Sequence, residues 1–163
     1  MNDLTPLSAT PAELIAAYRR GPSALRRALE GMSPEQLRAR PIPGKMSSLE
    51  VACHVVDSDQ FMCDRAKRTI ATARPLLIGI ESWEYPGPLA YHERDLELDL
   101  RLLDVQREQL AADLERLSPE AWQRCAVHSE CGTQTVHEIV HHAVEHLEGH
   151  VIAIAEKRAA LGL

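Results

Sequence analysis

Apolar residues recur at helical spacing in four long stretches of the chain, and the breaks between them carry proline and glycine. The first stretch predicts a helix from about Pro11 to Met32, with Thr10 as N-cap and Pro11 in the first turn, where its missing N–H is not needed. Gly21-Pro22 inside it predicts a kink or a split. Ser33-Pro34-Glu35 is a second cap signal and opens a short helical turn, which Pro41-Ile42-Pro43-Gly44 ends in a loop. A second long helix is expected from Ser47 or Ser48 to about Ala73, closed by Arg74-Pro75. Between Pro75 and Pro88 the pattern is irregular and predicts a long connection crossing an end of the fold. Helical periodicity resumes from about Leu89 to Leu117, where Glu97, Asp104 and Arg107 read as a solvated face. Ser118-Pro119-Glu120 restarts the cap signal, a loop follows through Gly132, and a last helix is expected from about Thr133 to Ala160. No stretch reads as a strand. The expected fold is all-α: a four-helix bundle with a long crossover, forming one domain over residues 1–163.

An internal similarity runs through this pattern. Leu25, Leu29, Ser33-Pro34-Glu35, Glu50 and His54 are echoed by Leu110, Leu114, Ser118-Pro119-Glu120, Glu138 and His142, with a few loop residues separating the two registers. A diverged repeat of this kind predicts helix pairs related by a pseudo-twofold axis; common helix-start residues also produce such echoes by coincidence.

Histidine is concentrated in the last helix, at His137, His141, His142, His146 and His150. Residues four apart stack on one face, so His142, His146 and His150 form a ladder whose neighbouring imidazoles can share a metal. The apolar stripe of that helix is Val136, Ile139, Val140, Ala143, Leu147, Val151 and Ile154. At about 100° per residue, His150 lies about 50° from the stripe's centre, His146 about 90° and His142 about 130°. His146 and His150 therefore point most nearly inward. A third ligand is available from the second long helix in His54, at the edge of its apolar face. Three neutral imidazoles would leave a coordination position open, as catalytic sites do and structural sites do not. His92, His128, His137 and His141 read as surface or satisfied polar groups, the ordinary state of a helical histidine.

Composition changes the picture in three places. A content of 45% hydrophobic residues, with one Phe, two Trp and three Tyr, suits helix packing rather than an aromatic-rich sandwich. The net charge of -6 and the absence of a Lys/Arg run predict no nucleic-acid partner. No apolar run reaches the roughly 18 residues of a membrane span and the start is polar, so a cytoplasmic protein without membrane contact is expected. The four cysteines lack CxxC spacing and should stay reduced, Cys53 and Cys63 as small buried hydrophobes, Cys125 and Cys131 in a loop where a reactive or metal-binding role is open.

Pro43-Gly44-Lys45-Met46-Ser47 leading to Glu50 and His54, together with the later segment from His142 to Ile152, resembles the DinB-like family, including its YfiT-like members, over almost the whole chain. Members carry Trp in the loop where Met46 stands here, a departure that touches no ligand. The resemblance implies a four-helix bundle holding a divalent metal, Zn²⁺ or Ni²⁺, on His54, His146 and His150. It also implies a homodimer and one of several activities: metal-dependent hydrolysis, S-transfer using bacillithiol or mycothiol, or mycothiol-dependent isomerisation. The expected partner is a small-molecule substrate, including a low-molecular-weight thiol. The other class of function is a non-catalytic stress-related binding protein in which the metal staples the helices. Asp57 and Glu145 are candidate orienting or acid/base groups, or plain surface carboxylates.

Overall fold

Cap chemistry decides where the helices begin in the computed structural model, which describes residues 4–163. Helix α1 (Pro11–Leu29) starts on a reciprocal box in which the Thr10 hydroxyl accepts the Glu13 N–H and the Glu13 carboxylate accepts the Thr10 N–H. Ser33 and Gln36 do the same for the short α2 (Pro34–Arg38), and Ser47 and Glu50 for α3 (Ser48–Ala71). The Asp95 carboxylate accepts from Glu97 and Leu98 at the start of α4 (Leu96–Leu114). Thr135 and Glu138 box the start of α5 (Val136–Ala160). α3 and α4 end two and three residues early, at Ala71 and Leu114, and three further boundaries differ from the periodicity. α1 stops at Leu29 rather than Met32, and the chain then passes through Gly31 at φ +75°. α4 starts at Leu96 rather than near Leu89, because Ala90 turns left-handed and Tyr91–Glu93 forms a separate 3-10 turn. α5 starts at Val136 rather than near Thr133.

The cause of that last shift is a small sheet that the helical reading did not include. β1 (Leu76–Leu77) pairs in parallel with β2 (Cys125–His128), which pairs antiparallel with β3 (Gly132–Thr135). Ala126 and His128 point inward while their neighbours are half-buried, a period of two too short to stand out. Ser129, Glu130 and Cys131 make the hairpin turn, and Gly132 at φ +75° supplies the left-handed residue that closes such a three-residue turn. Cys125 thus lies in a strand and Cys131 in the turn, rather than both in an open loop.

The four long helices form a bundle in which α1 and α3 each pack against both α4 and α5, so that α1 stands diagonal to α3 and α4 to α5. One end of the core holds Leu14, Tyr18, Leu110, Leu114, Val140 and Val144. The other holds Leu25, Val55, Leu100, Leu103, Leu147 and Ile154. No helix of the described residues is long and apolar enough to cross a membrane.

Arg107 corrects the sequence reading. It is not on a solvated face but is among the most buried side chains, at 1% exposure. Its Nε and Nη2 donate to Asp59 Oδ1 on α3 at 2.9 and 2.6 Å, its Nη1 to the Tyr18 carbonyl on α1 at 3.1 Å, and its Nη2 to the Ala143 carbonyl on α5 at 2.9 Å. One guanidinium on α4 thereby touches the other three long helices. Tyr18 O is the carbonyl that residue 22 would normally bond, and residue 22 is proline, which has no N–H. Arg107 fills that gap, and α1 runs through Gly21-Pro22 without the split that was one of the two outcomes expected there, the other being a kink. Gly21 makes room, since a Cβ there would lie 2.3 Å from Arg107 Nη1.

Candidate metal centre

α3 carries His54 about two turns past its cap, and α5 carries His146 and His150 one turn apart. Packing of α3 on α5 brings the three imidazoles together. His54 Nε2 lies 3.3 Å from His146 Nε2, which lies 3.2 Å from His150 Nε2. The three ligand atoms all fall within 4.8 Å of one another.

Burial, reinforced by the neighbouring imidazoles, lowers the pKa of His146 to about 3. Burial also lowers His150, to about 4, with His54 adding to the effect. His54 is lowered by burial as well, with the Ser82 backbone and Asp57 acting in the opposite sense. Burial thus favours the neutral form of all three rings, and their ring nitrogens are gathered within one ion's reach. His54 Nδ1 is buried and makes no hydrogen bond, so the ring's one close polar contact is through Nε2, toward His146. Three convergent neutral nitrogen donors are a set that Zn²⁺ or Ni²⁺ accepts. The residues present fit a divalent ion.

His142, the remaining rung of the ladder, stays outside: its ring centroid is 6.2 Å from that of His146 and its side chain is exposed. His137 and His141 bond the carbonyls of Ala9 and Thr5, each at 2.8 Å, as satisfied polar groups. Asp57 is fully engaged, accepting from Tyr91 Oη at 2.8 Å and from Arg94 Nη1, and so positions the connection rather than serving as a free base. Glu145 is exposed. Cys53 and Cys63 are buried, as expected, and burial pushes the Cys53 thiol up to about 12.

The start of α3 is held by Glu50, whose side chain is almost fully buried. Burial alone would raise its pKa, but the Arg40 guanidinium, the Ser47 N–H and His92 outweigh that and hold it at about 2. A depressed carboxylate contributes stability that is present above its unfolded value of 4.5 and lost as pH falls through the folded value. Glu50→Gln should therefore cost about 1–2 kcal/mol at pH 7, and denaturation of the two proteins should converge as pH falls from about 4.5 to about 2. A gap that stays constant across that window would contradict this.

Against the histidine cluster lies a cavity of about 330 Å³, lined by His146 and His142 from α5, by Arg65 and Ser58 from α3, and by His128, Glu130 and Cys131 from the hairpin. Arg65, His128 and Glu130 were not singled out as site residues in the sequence. His128 read as an ordinary polar group, and only recognising the hairpin would have placed it here.

Residues 17–154 of the chain match the family described as the DinB superfamily. Bacillus subtilis YfiT, described as a probable metal-dependent hydrolase with an unusual four-helix bundle topology, superposes with a TM-score of 0.89. That match covers 98% of this chain and 94% of YfiT at 20% identity. A mycothiol-dependent maleylpyruvate isomerase superposes with a TM-score of 0.70, covering 91% of this chain and 62% of its own at 12% identity. At such identities the likeness is one of fold. No curated protein matches the sequence.

Proposed function

The chain belongs to the DinB superfamily, and on that premise we propose that it is a metal-dependent enzyme acting on small molecules, with His54, His146 and His150 holding one Zn²⁺ or Ni²⁺ ion. The observation that carries this reading is the convergence of three neutral imidazoles beside a cavity large enough for a small substrate. A metal serving only as a staple would more naturally be closed off by a fourth protein ligand, and among the described residues the cluster has three.

Bound there, a divalent ion would supply Lewis acidity and lower the pKa of a thiol or water in the open position. The protein's own contribution is to keep the imidazoles deprotonated by burial, fix them on two packed helices, and give the substrate one lined approach. Of the two chemistries we favour transfer of a low-molecular-weight thiol to an electrophile, because a thiolate is itself a good nucleophile and needs no general base once ionised. Hydrolysis needs a base, and Glu130 is the carboxylate that lines the cavity. The fold relative that uses mycothiol supports the first chemistry, and the relative described as a hydrolase supports the second. We also propose a homodimer; sedimentation showing only monomer at high concentration refutes it.

The metal-loaded protein should conjugate a cellular thiol to an electrophile, and His54→Ala should abolish this while Glu130→Gln leaves it largely intact. Hydrolysis of small esters or amides that depends on both metal and Glu130, without thiol conjugation, would overturn the preference. Absence of both activities would favour the staple.

A further inference from the structure

We propose that the cavity beside the three histidines binds a carboxylate of its ligand through the Arg65 guanidinium and the Nε2–H of His128. The inference rests on the reading that this cavity is the substrate site, and it deepens that reading by naming a substrate class: small molecules carrying a carboxylate.

His128 is 6% exposed, and its protonation pattern is fixed by the hairpin turn. Its Nδ1 accepts the backbone N–H groups of Glu130 and Cys131 at 3.2 and 3.3 Å. An imidazole whose Nδ1 is occupied as an acceptor carries its proton on Nε2 and presents a single fixed donor. That nitrogen has no protein partner among the described residues, and the ring lines the cavity. Burial and the nearby Arg65 lower the His128 pKa, with Glu130 acting in the opposite sense, so the net effect favours the neutral ring.

Arg65 lines the same cavity from α3. Its Nη2 donates to the Ile78 carbonyl at 2.8 Å, which anchors the side chain against the crossover. Unlike Arg19, Arg26, Arg40, Arg94 and Arg107, it forms no ion pair among the described residues. A half-buried guanidinium that Glu130 and Asp64 influence but do not contact as an ion pair, in the same lining as an unpartnered and oriented N–H, is an arrangement that a ligand oxyanion completes. One positive charge and one neutral donor, with Glu130 in the same lining, suit a single planar carboxylate group of a ligand better than a tetrahedral phosphate dianion.

The test is calorimetric titration of succinate, and separately of inorganic phosphate, into chelator-treated and Zn²⁺-loaded protein. His128→Asn is the informative variant, because the Asn carbonyl can replace Nδ1 as acceptor for the turn while the Nε2–H is lost. Succinate should bind both forms, more tightly than phosphate. His128→Asn and Arg65→Gln should each weaken it about tenfold or more, with Arg65→Lys intermediate. Equal binding to wild type and both variants would overturn the assignment, as would succinate binding that appears only with Zn²⁺ and ignores Arg65. Tighter binding of phosphate would overturn the carboxylate class. If the protein takes up no metal but succinate binding to the chelator-treated form still follows Arg65 and His128, the metal reading falls and this one stands.

Discussion

Arg107→Ala is expected to destabilise the protein by about 3–5 kcal/mol, read as a shift of the denaturation midpoint, because it leaves Asp59 as a buried charge with no countercharge. The side chains of both partners are 2% exposed, so solvent cannot take over. Gln106 Nε2 at 3.0 Å and Tyr18 Oη at 3.4 Å would remain on Asp59 Oδ2, and neither carries a charge. The double variant Arg107→Met with Asp59→Leu removes both charges and should recover most of the loss. It should not recover all of it, since Tyr18 O would still face Pro22 without a donor, a deficit of about 1–3 kcal/mol. Gly21→Ala attacks the same junction from α1 by placing a methyl group where Nη1 lies. An Arg107→Ala protein within about 1 kcal/mol of wild type would show that the guanidinium does not tie the bundle together.

The four-helix architecture was legible because helix starts were written as local chemistry. Thr10 and Ser33 were recognisable as caps and both are; Ser47, left open with Ser48 as the start of the second long helix, is the third. Arg107 reads as solvated from its charge although its position is interior: Leu100, Leu103, Arg107, Leu110 and Leu114 follow alternating steps of three and four. What concealed it was that its partners, Asp59 and the carbonyl freed by Pro22, are remote in sequence. The sheet was missed for a different reason: strands of two to four residues carry too few periods to compete with the helix that follows.

At the site, angles on one helix ranked His146 and His150 above His142, and the structure brings those two to His54 while leaving His142 exposed. The internal echo alone would have chosen differently, because it pairs His54 with His142 through the Ser47-Glu50 and Thr135-Glu138 caps. The cavity wall could not be read from either helix, since Arg65 and His128 meet only through the tertiary fold.

Removing the metal should lower the melting temperature by roughly 10 °C. An ion that binds the folded chain at about a thousand times its dissociation constant contributes about 4 kcal/mol, and each kcal/mol is worth about 2–4 °C in a protein of this size. Chelation would also leave three closely packed imidazoles without their shared ion. His54→Ala should melt at one temperature with or without chelator. A wild-type protein whose melting is indifferent to both chelator and added Zn²⁺ would contradict the expectation.

The most direct measurement is metal content per chain after mild purification, for wild type and for four single variants. The account predicts about one ion in wild type and in His142→Ala, and loss of that ion in His54→Ala, His146→Ala and His150→Ala. Full retention of the metal by all three of those variants would contradict it, and retention by His150→Ala with loss in His142→Ala would move the site one turn along α5.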